Sequence, residues 1–175
     1  MKARLFPIGI MLLLSIVLGC GEKPPHNIAQ LAMDIESGDE CHLCGMLIGH
    51  FPGPKGELYS RGEKAIKKFC STRDLFAYLL QPENTHRINK VFVHDMTVSP
   101  WDVPDDKAFI DATKAHYVVG HTQRGAMGPT FASFSQMADA TLYQQKFGGR
   151  VITFTDINLD LMSAQTSGIA YRAAE

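Results

Sequence analysis

Two similar patterns of hydrophobic and polar positions follow one another along the chain. In the first, "GELYS" (56–60) and "AIKKF" (65–69) are short strand-like runs. The stretch "FCSTRDLFAYLL" (69–80) then shifts to helical spacing, with Leu75, Phe76, Leu79 and Leu80 on one face, and "NKVFVHDM" (89–96) returns to alternation. Ser71 and Asp74 fit a capping box at the start of this helix, and Pro82 closes it. In the second pattern, "AHYVVGH" (115–121) and "PTFASF" (129–134) are strand-like. A helix follows, capped by Ser135 and ended by Gly148 and Gly149, and "RVITFTDI" (150–157) is the last strand. The paired patterns predict an α+β fold of two tandem ββαβ units, spanning 39–97 and 98–161. The small, polar tail 162–175 is expected to be mobile.

The first twenty residues break this pattern. Lys2 and Arg4 are followed by a mostly apolar stretch, 5–18, and a small residue before Cys20. This is the build of a signal peptide, 1–19, too short for a comfortable membrane span. The ending "VLGC" resembles a bacterial lipobox, in which Cys20 becomes the lipidated first residue. Polar "GEKPPHN" then begins a flexible tether, 20–38. The expectation is a soluble domain tied by lipid to a membrane on its extracytoplasmic side. Gly21, rather than aspartate, after the lipidated cysteine favours the outer membrane.

Composition narrows the function classes. A net charge of −1 points away from nucleic acid and from acidic surfaces, and there is no Gly-rich phosphate loop. Of the four cysteines, lipidation of Cys20 leaves Cys41, Cys44 and Cys70. An odd number in an oxidising compartment leaves at least one thiol unpaired.

The densest chemistry lies in "DECHLCGMLIGH" (39–50). Cys41-x-x-Cys44 suits a thiol-disulfide oxidoreductase, but polar linker stands where that reading wants a strand. A zinc site needs a second ligand pair, to be borrowed from scattered histidines or Cys70. Met46 adds a third reading, because thioether and thiolate donors together select Cu(I), and Gly45 permits the tight turn such a bite needs. Met46 also begins the apolar run "MLI", where methionine serves as core. Met127, in the Gly/Pro-rich loop "RGAMGPTF", is less easily explained as core. His94 and Met96 share a strand face, and His121 lies six residues before Met127. His42, His50 and His116 read as surface or structural residues, and Cys70, at a strand–helix junction, as a small buried hydrophobe.

The lipobox, "CHLCGM" after a short tether, "GPKGELYS", the strand ending "HDM" and the later "AMG" loop together resemble the NosL family. The likeness extends from Cys20 to about Asp160. It implies an open-faced β-sandwich, an arrangement shared with organomercurial lyase. It further implies Cu(I) binding in the periplasm and delivery toward nitrous oxide reductase through a membrane transporter and maturation complex. By position, the ligands it implies are Cys44, Met46 and Met127, with Cys41 and a histidine (His121 or His94) as further donors. Zinc is a second metal that Cys41 and the histidines permit. Cys70 stands where the family pattern leads one to expect aspartate. The alternatives are a thiol-disulfide oxidoreductase or organometal lyase using Cys41 and Cys44, and a zinc-stabilised scaffold. Methionine discriminates, since thiol exchange has no use for Met46 and Met127.

Overall fold

The computed structural model describes residues 30–167; the signal peptide, Cys20 and most of the tether lie outside the described residues, as do 168–175. β1 (Gly56–Ser60) and β2 (Ile66–Phe69) form an antiparallel hairpin with Gly56 opposite Phe69. α1 (Thr72–Leu79) follows, and Ser71 caps it by accepting from the Asp74 N–H at 3.1 Å. The Asp74 carboxylate, expected in the reciprocal half of a capping box, faces the sulfurs of Cys70 and Cys41. Pro82 does not end α1. The helix stops at Leu79, and Pro82 opens a separate turn, α2 (Pro82–Thr85), where its missing N–H has no helical partner to lose. β3 (Ile88–His94) pairs with the other edge of β1, and β4 (Phe109–Asp111) adds to β3. Three residues are too few for alternation to register, so the sequence carries no expectation of β4.

The second unit repeats this connectivity with β5 (His116–Val119), β6 (Ala132–Phe134), α3 (Met137–Phe147) and β7 (Arg150–Thr153). Its sheet runs β6-β5-β7, and the first runs β2-β1-β3-β4, all antiparallel. In each unit the earliest strand is central. The two tandem ββαβ units are therefore present, as a repeat of topology. The details differ from expectation at three places. Gln136, rather than Ser135, is the N-cap of α3, because the Ser135 N–H donates to Asp95 Oδ1 at 3.1 Å and holds that residue before the helix. The last strand stops at Thr153, where Asp156 accepts from both the Thr153 N–H (2.8 Å) and its hydroxyl (2.7 Å) and turns the chain. The stretch expected to be mobile begins as α4 (Leu159–Ser167), capped by Asn158 and held by the buried Leu161 and Met162.

α1 lies between the two sheets. On one side Leu75 packs against Gly56, where a Cβ would come within 2.5 Å of the leucine. On the other, Phe76 meets Tyr117, Phe131 and Phe154 edge-on, with centroids 5.4, 5.1 and 6.0 Å away. One apolar core thus runs from Leu58 and Val93 through α1 to Val119 and Ile152. α3 covers the far face of the second sheet through Ala140, against Val118, Ala132 and Phe134.

The first sheet's far face is polar and is covered by an extended strap, residues 30–36. The Met33 N–H donates to Glu57 Oε2 (2.9 Å), the Ile35 N–H to Asp106 Oδ2 (2.9 Å), and the Tyr59 hydroxyl to the Leu31 carbonyl (3.0 Å). The described end of the expected flexible tether is therefore docked on the domain.

Candidate metal centre

Directly after the strap the chain makes a narrow hairpin. The Ile48 N–H donates to the Asp39 carbonyl (2.9 Å) and the Cys41 N–H to the Met46 carbonyl (2.8 Å), while the Gly45 N–H returns to the Cys41 carbonyl (2.8 Å). Gly45 takes φ 74°, a left-handed conformation that glycine adopts without a Cβ clash. The hairpin is fixed to β2 by the His42 N–H on the Lys68 carbonyl (2.8 Å) and by the Lys68 ammonium on Asp39.

This fixation carries the two hairpin cysteines to the start of α1. Cys70 Sγ lies 3.6 Å from Cys44 Sγ and donates to Asp74 Oδ2 at 3.1 Å, and Cys41 Sγ lies 3.6 Å from the same oxygen. Donor atoms of Cys41, Cys44, Cys70 and Asp74 all fall within 4.8 Å of one another. All three thiols are free; Cys41 and Cys70 are buried and Cys44 is exposed. The Cys70 thiol and the backbone N–H groups of Cys70, Cys44 and Leu43 point at the Cys41 sulfur and bring its pKa down to about 5, against the opposing effect of burial. Cys41 beside it, burial and the Asp74 carboxylate push the Cys70 thiol up. Burial also raises Cys44. Of the three sulfurs Cys41 is thus the one whose pKa is lowered, beside a Cys70 thiol whose proton rests against a carboxylate. Three soft sulfurs with one hard oxygen suit a thiophilic ion, and the exposed Cys44 gives that ion a way in and out.

The remaining candidates are placed variously. Met46 is half-buried against the main core, with its backbone in the cysteine hairpin. Met127 stands exposed at the tip of a tight turn closed by Gly125 and Gly128, and its carbonyl accepts from Arg73 Nη1 of α1 at 2.7 Å. His94 is fully buried away from the cluster; its Nδ1 accepts from the Lys55 N–H (3.2 Å) and its Nε2 faces Asp106 Oδ1 (3.2 Å). His121 is buried against Trp101 and Tyr143, 3.4 Å from the tyrosine hydroxyl, and does not join the cluster either. Asp74 was legible only as a cap. The signal that would have found it is the Cys70-x-x-x-Asp74 spacing, which at a helix start puts both side chains on one side of the first turn.

The profile of the family described as NosL matches residues 32–162. Copper-binding lipoprotein NosL of Stutzerimonas stutzeri is 43% identical over 165 residues, covering 91% of this chain and 86% of the relative. The protein of the same description from Achromobacter cycloclastes is 34% identical over 160 residues, covering 90% and 82%. The crystal structure of the copper chaperone NosL from Shewanella denitrificans superposes with a TM-score of 0.74 at 52% identity, covering 74% of this chain and 97% of that one.

Proposed function

The chain belongs to the NosL family, and on that premise we propose that it is a Cu(I) metallochaperone, lipid-anchored through Cys20 on the periplasmic side of a membrane. It carries copper for the maturation of nitrous oxide reductase and hands it to the reductase's membrane transporter and maturation complex. Copper is cargo here, and no catalytic step is assigned to the chain.

The observation that carries this reading is the convergence of three sulfurs on one point with a single sulfur exposed. A chaperone must hold its ion firmly and still release it. Cys41 and Cys70 supply the hold from within, and an acceptor ligand approaches from the side of Cys44. Met46 and Met127 are the thioether donors that bias the centre toward the monovalent ion. Cys70 takes a place in the sulfur set, and Asp74 accepts from its thiol.

The test is an anaerobic Cu(I) titration of the purified reduced chain against a chromophoric Cu(I) chelator, beside Cys44→Ser. The expected result is tight one-to-one binding, weakened by more than about tenfold in the variant, as even outer-shell losses weaken metal sites. Binding indifferent to Cys44 would overturn the proposal.

A further inference from the structure

We propose that Cys44 and Cys70 form a reversible disulfide that closes the metal centre, making this pair a site of covalent modification. The chemistry stands apart from the copper reading; only its consequence for cargo rests on that reading.

Cys44 Sγ and Cys70 Sγ are already in contact at 3.6 Å, and both are free thiols. A disulfide needs about 2.05 Å, so one sulfur must move by roughly 1.5 Å. Cys70 is fixed between the end of β2 and the cap of α1. Cys44 sits on the exposed bend of its hairpin, next to a glycine with nothing within 4 Å of where its Cβ would stand. The movement therefore falls to Cys44, without disturbing the core. Cys41 is less free to move, because it is buried and its N–H and C=O both close the hairpin, on the Met46 carbonyl and the Gly45 N–H.

The oxidant is a disulfide, either of a small molecule or of a thiol-oxidising protein. Cys44, the exposed thiol of the three, meets it first. The Cys44 sulfur attacks one sulfur of the oxidant, giving a mixed disulfide, and its proton goes with the other sulfur, which departs as the first thiol. The Cys70 sulfur then attacks Cys44 Sγ, its proton passing by way of Asp74 Oδ2, 3.1 Å away, to the departing sulfur, which leaves as the second thiol. In sum two protein thiols lose two electrons and two protons, and one oxidant disulfide becomes two thiols. A dithiol reverses the exchange. Two of the three converging sulfurs are blocked in the closed form, so uptake of a soft ion requires the reduced one.

The test incubates the purified metal-free chain with oxidised glutathione, blocks remaining thiols with an alkylating agent, and maps disulfide-linked peptides by mass spectrometry. The expected product joins the peptide carrying Cys70 to the one carrying Cys44. It still forms in Cys41→Ser, is absent in Cys44→Ser, and disappears with dithiothreitol. A Cys41–Cys44 link with Cys70 alkylated, or three alkylated thiols after prolonged oxidation, would overturn the proposal. Cu(I) titration of the oxidised chain should show the one-to-one binding of the reduced chain lost, and regained on reduction. Undiminished binding by the oxidised form would refute the closure, whereas absent binding by the reduced form would count only against the chaperone reading.

Discussion

Cys70 and Asp74 face one another at the start of α1, the thiol donating to Asp74 Oδ2 over 3.1 Å. Cys41 Sγ stands 3.6 Å from the same oxygen; Cys41, burial and the Asp74 carboxylate raise the Cys70 thiol, while the Cys70 thiol and backbone N–H groups lower Cys41. One sequence position thus does two jobs. The Asp74 N–H completes the Ser71 cap, and the Asp74 side chain accepts from the Cys70 thiol and adds to the rise of its pKa.

Replacing Asp74 by asparagine removes the charge that holds the Cys70 proton and leaves the Ser71 cap in place. The thiol titration of metal-free Asp74→Asn, followed by ultraviolet thiolate absorbance, should show its highest midpoint lowered by about one unit or more. A titration curve superimposable on that of the parent would contradict the assigned role.

Met127→Leu and Met46→Leu separate ligation from packing. Met127 is exposed, so its substitution should leave urea stability unchanged; Met46 is half-buried, and a near-isosteric swap there costs less than about 1.5 kcal/mol. Both should still weaken Cu(I) binding, by about tenfold or more, equivalent to about 1.4 kcal/mol. Chelator competition on the two folded variants reads this out, and parent-like affinity in both would remove the thioethers from the site.

Glu57 makes stability depend on pH. Fully buried under the strap, its carboxyl is raised by burial from 4.5 to about 7. The folded state binds the proton more tightly than the unfolded one, so this contribution is complete below about pH 4.5 and is lost as the pH rises through 7. The shift corresponds to about 3 kcal/mol. His94, lowered by burial from 6.5 to about 3, acts at the other end, its contribution being lost as the pH falls below 6.5. Urea midpoints at about pH 5 and about pH 8 should fall less with rising pH in Glu57→Gln than in the parent. Equal slopes would show that Glu57 does not titrate in this range.

Gly56→Ala tests the contact that seats α1 on the first sheet. A Cβ at that position would meet Leu75 Cδ2 at 2.5 Å and Cβ at 2.8 Å, and both are held in the core. Overpacking of this kind costs about 1–3 kcal/mol. Chemical denaturation should show a loss in that range, with Gly62→Ala, which meets nothing within 4 Å but has φ 79°, as the comparison for backbone strain alone.

The elements that periodicity announces are those whose burial is one-sided and long enough to count. β1 and α1 were legible because Leu75, Phe76 and Leu79 repeat at helical spacing and Ser71 caps them. β4 and α4 were not. β4 is three residues on an edge, and α4 buries Leu161, Met162 and Gln165 without a clear helical stripe, docking against α1. The centre divides in the same way. Cys41 and Cys44 announced themselves by spacing, whereas Cys70 and Asp74 had sufficient local explanations as core and cap. Only the pairing of the cysteine hairpin with β2, a contact some 26 residues long in sequence, brings the four together.

The docked strap also fixes a length. With Gln30 beside Asn89 on the sheet, ten peptide steps separate it from Cys20. A leash of that size spans at most about 35 Å when fully drawn out. Were the strap to peel away as far as Asp39, nine more steps would add about 30 Å and nearly double the reach of the sulfurs from Cys20, the anchor proposed above. The hydrogen bonds that the strap makes with Glu57, Tyr59, Lys68 and Asp106 thus set how far the sulfurs can stand from that residue.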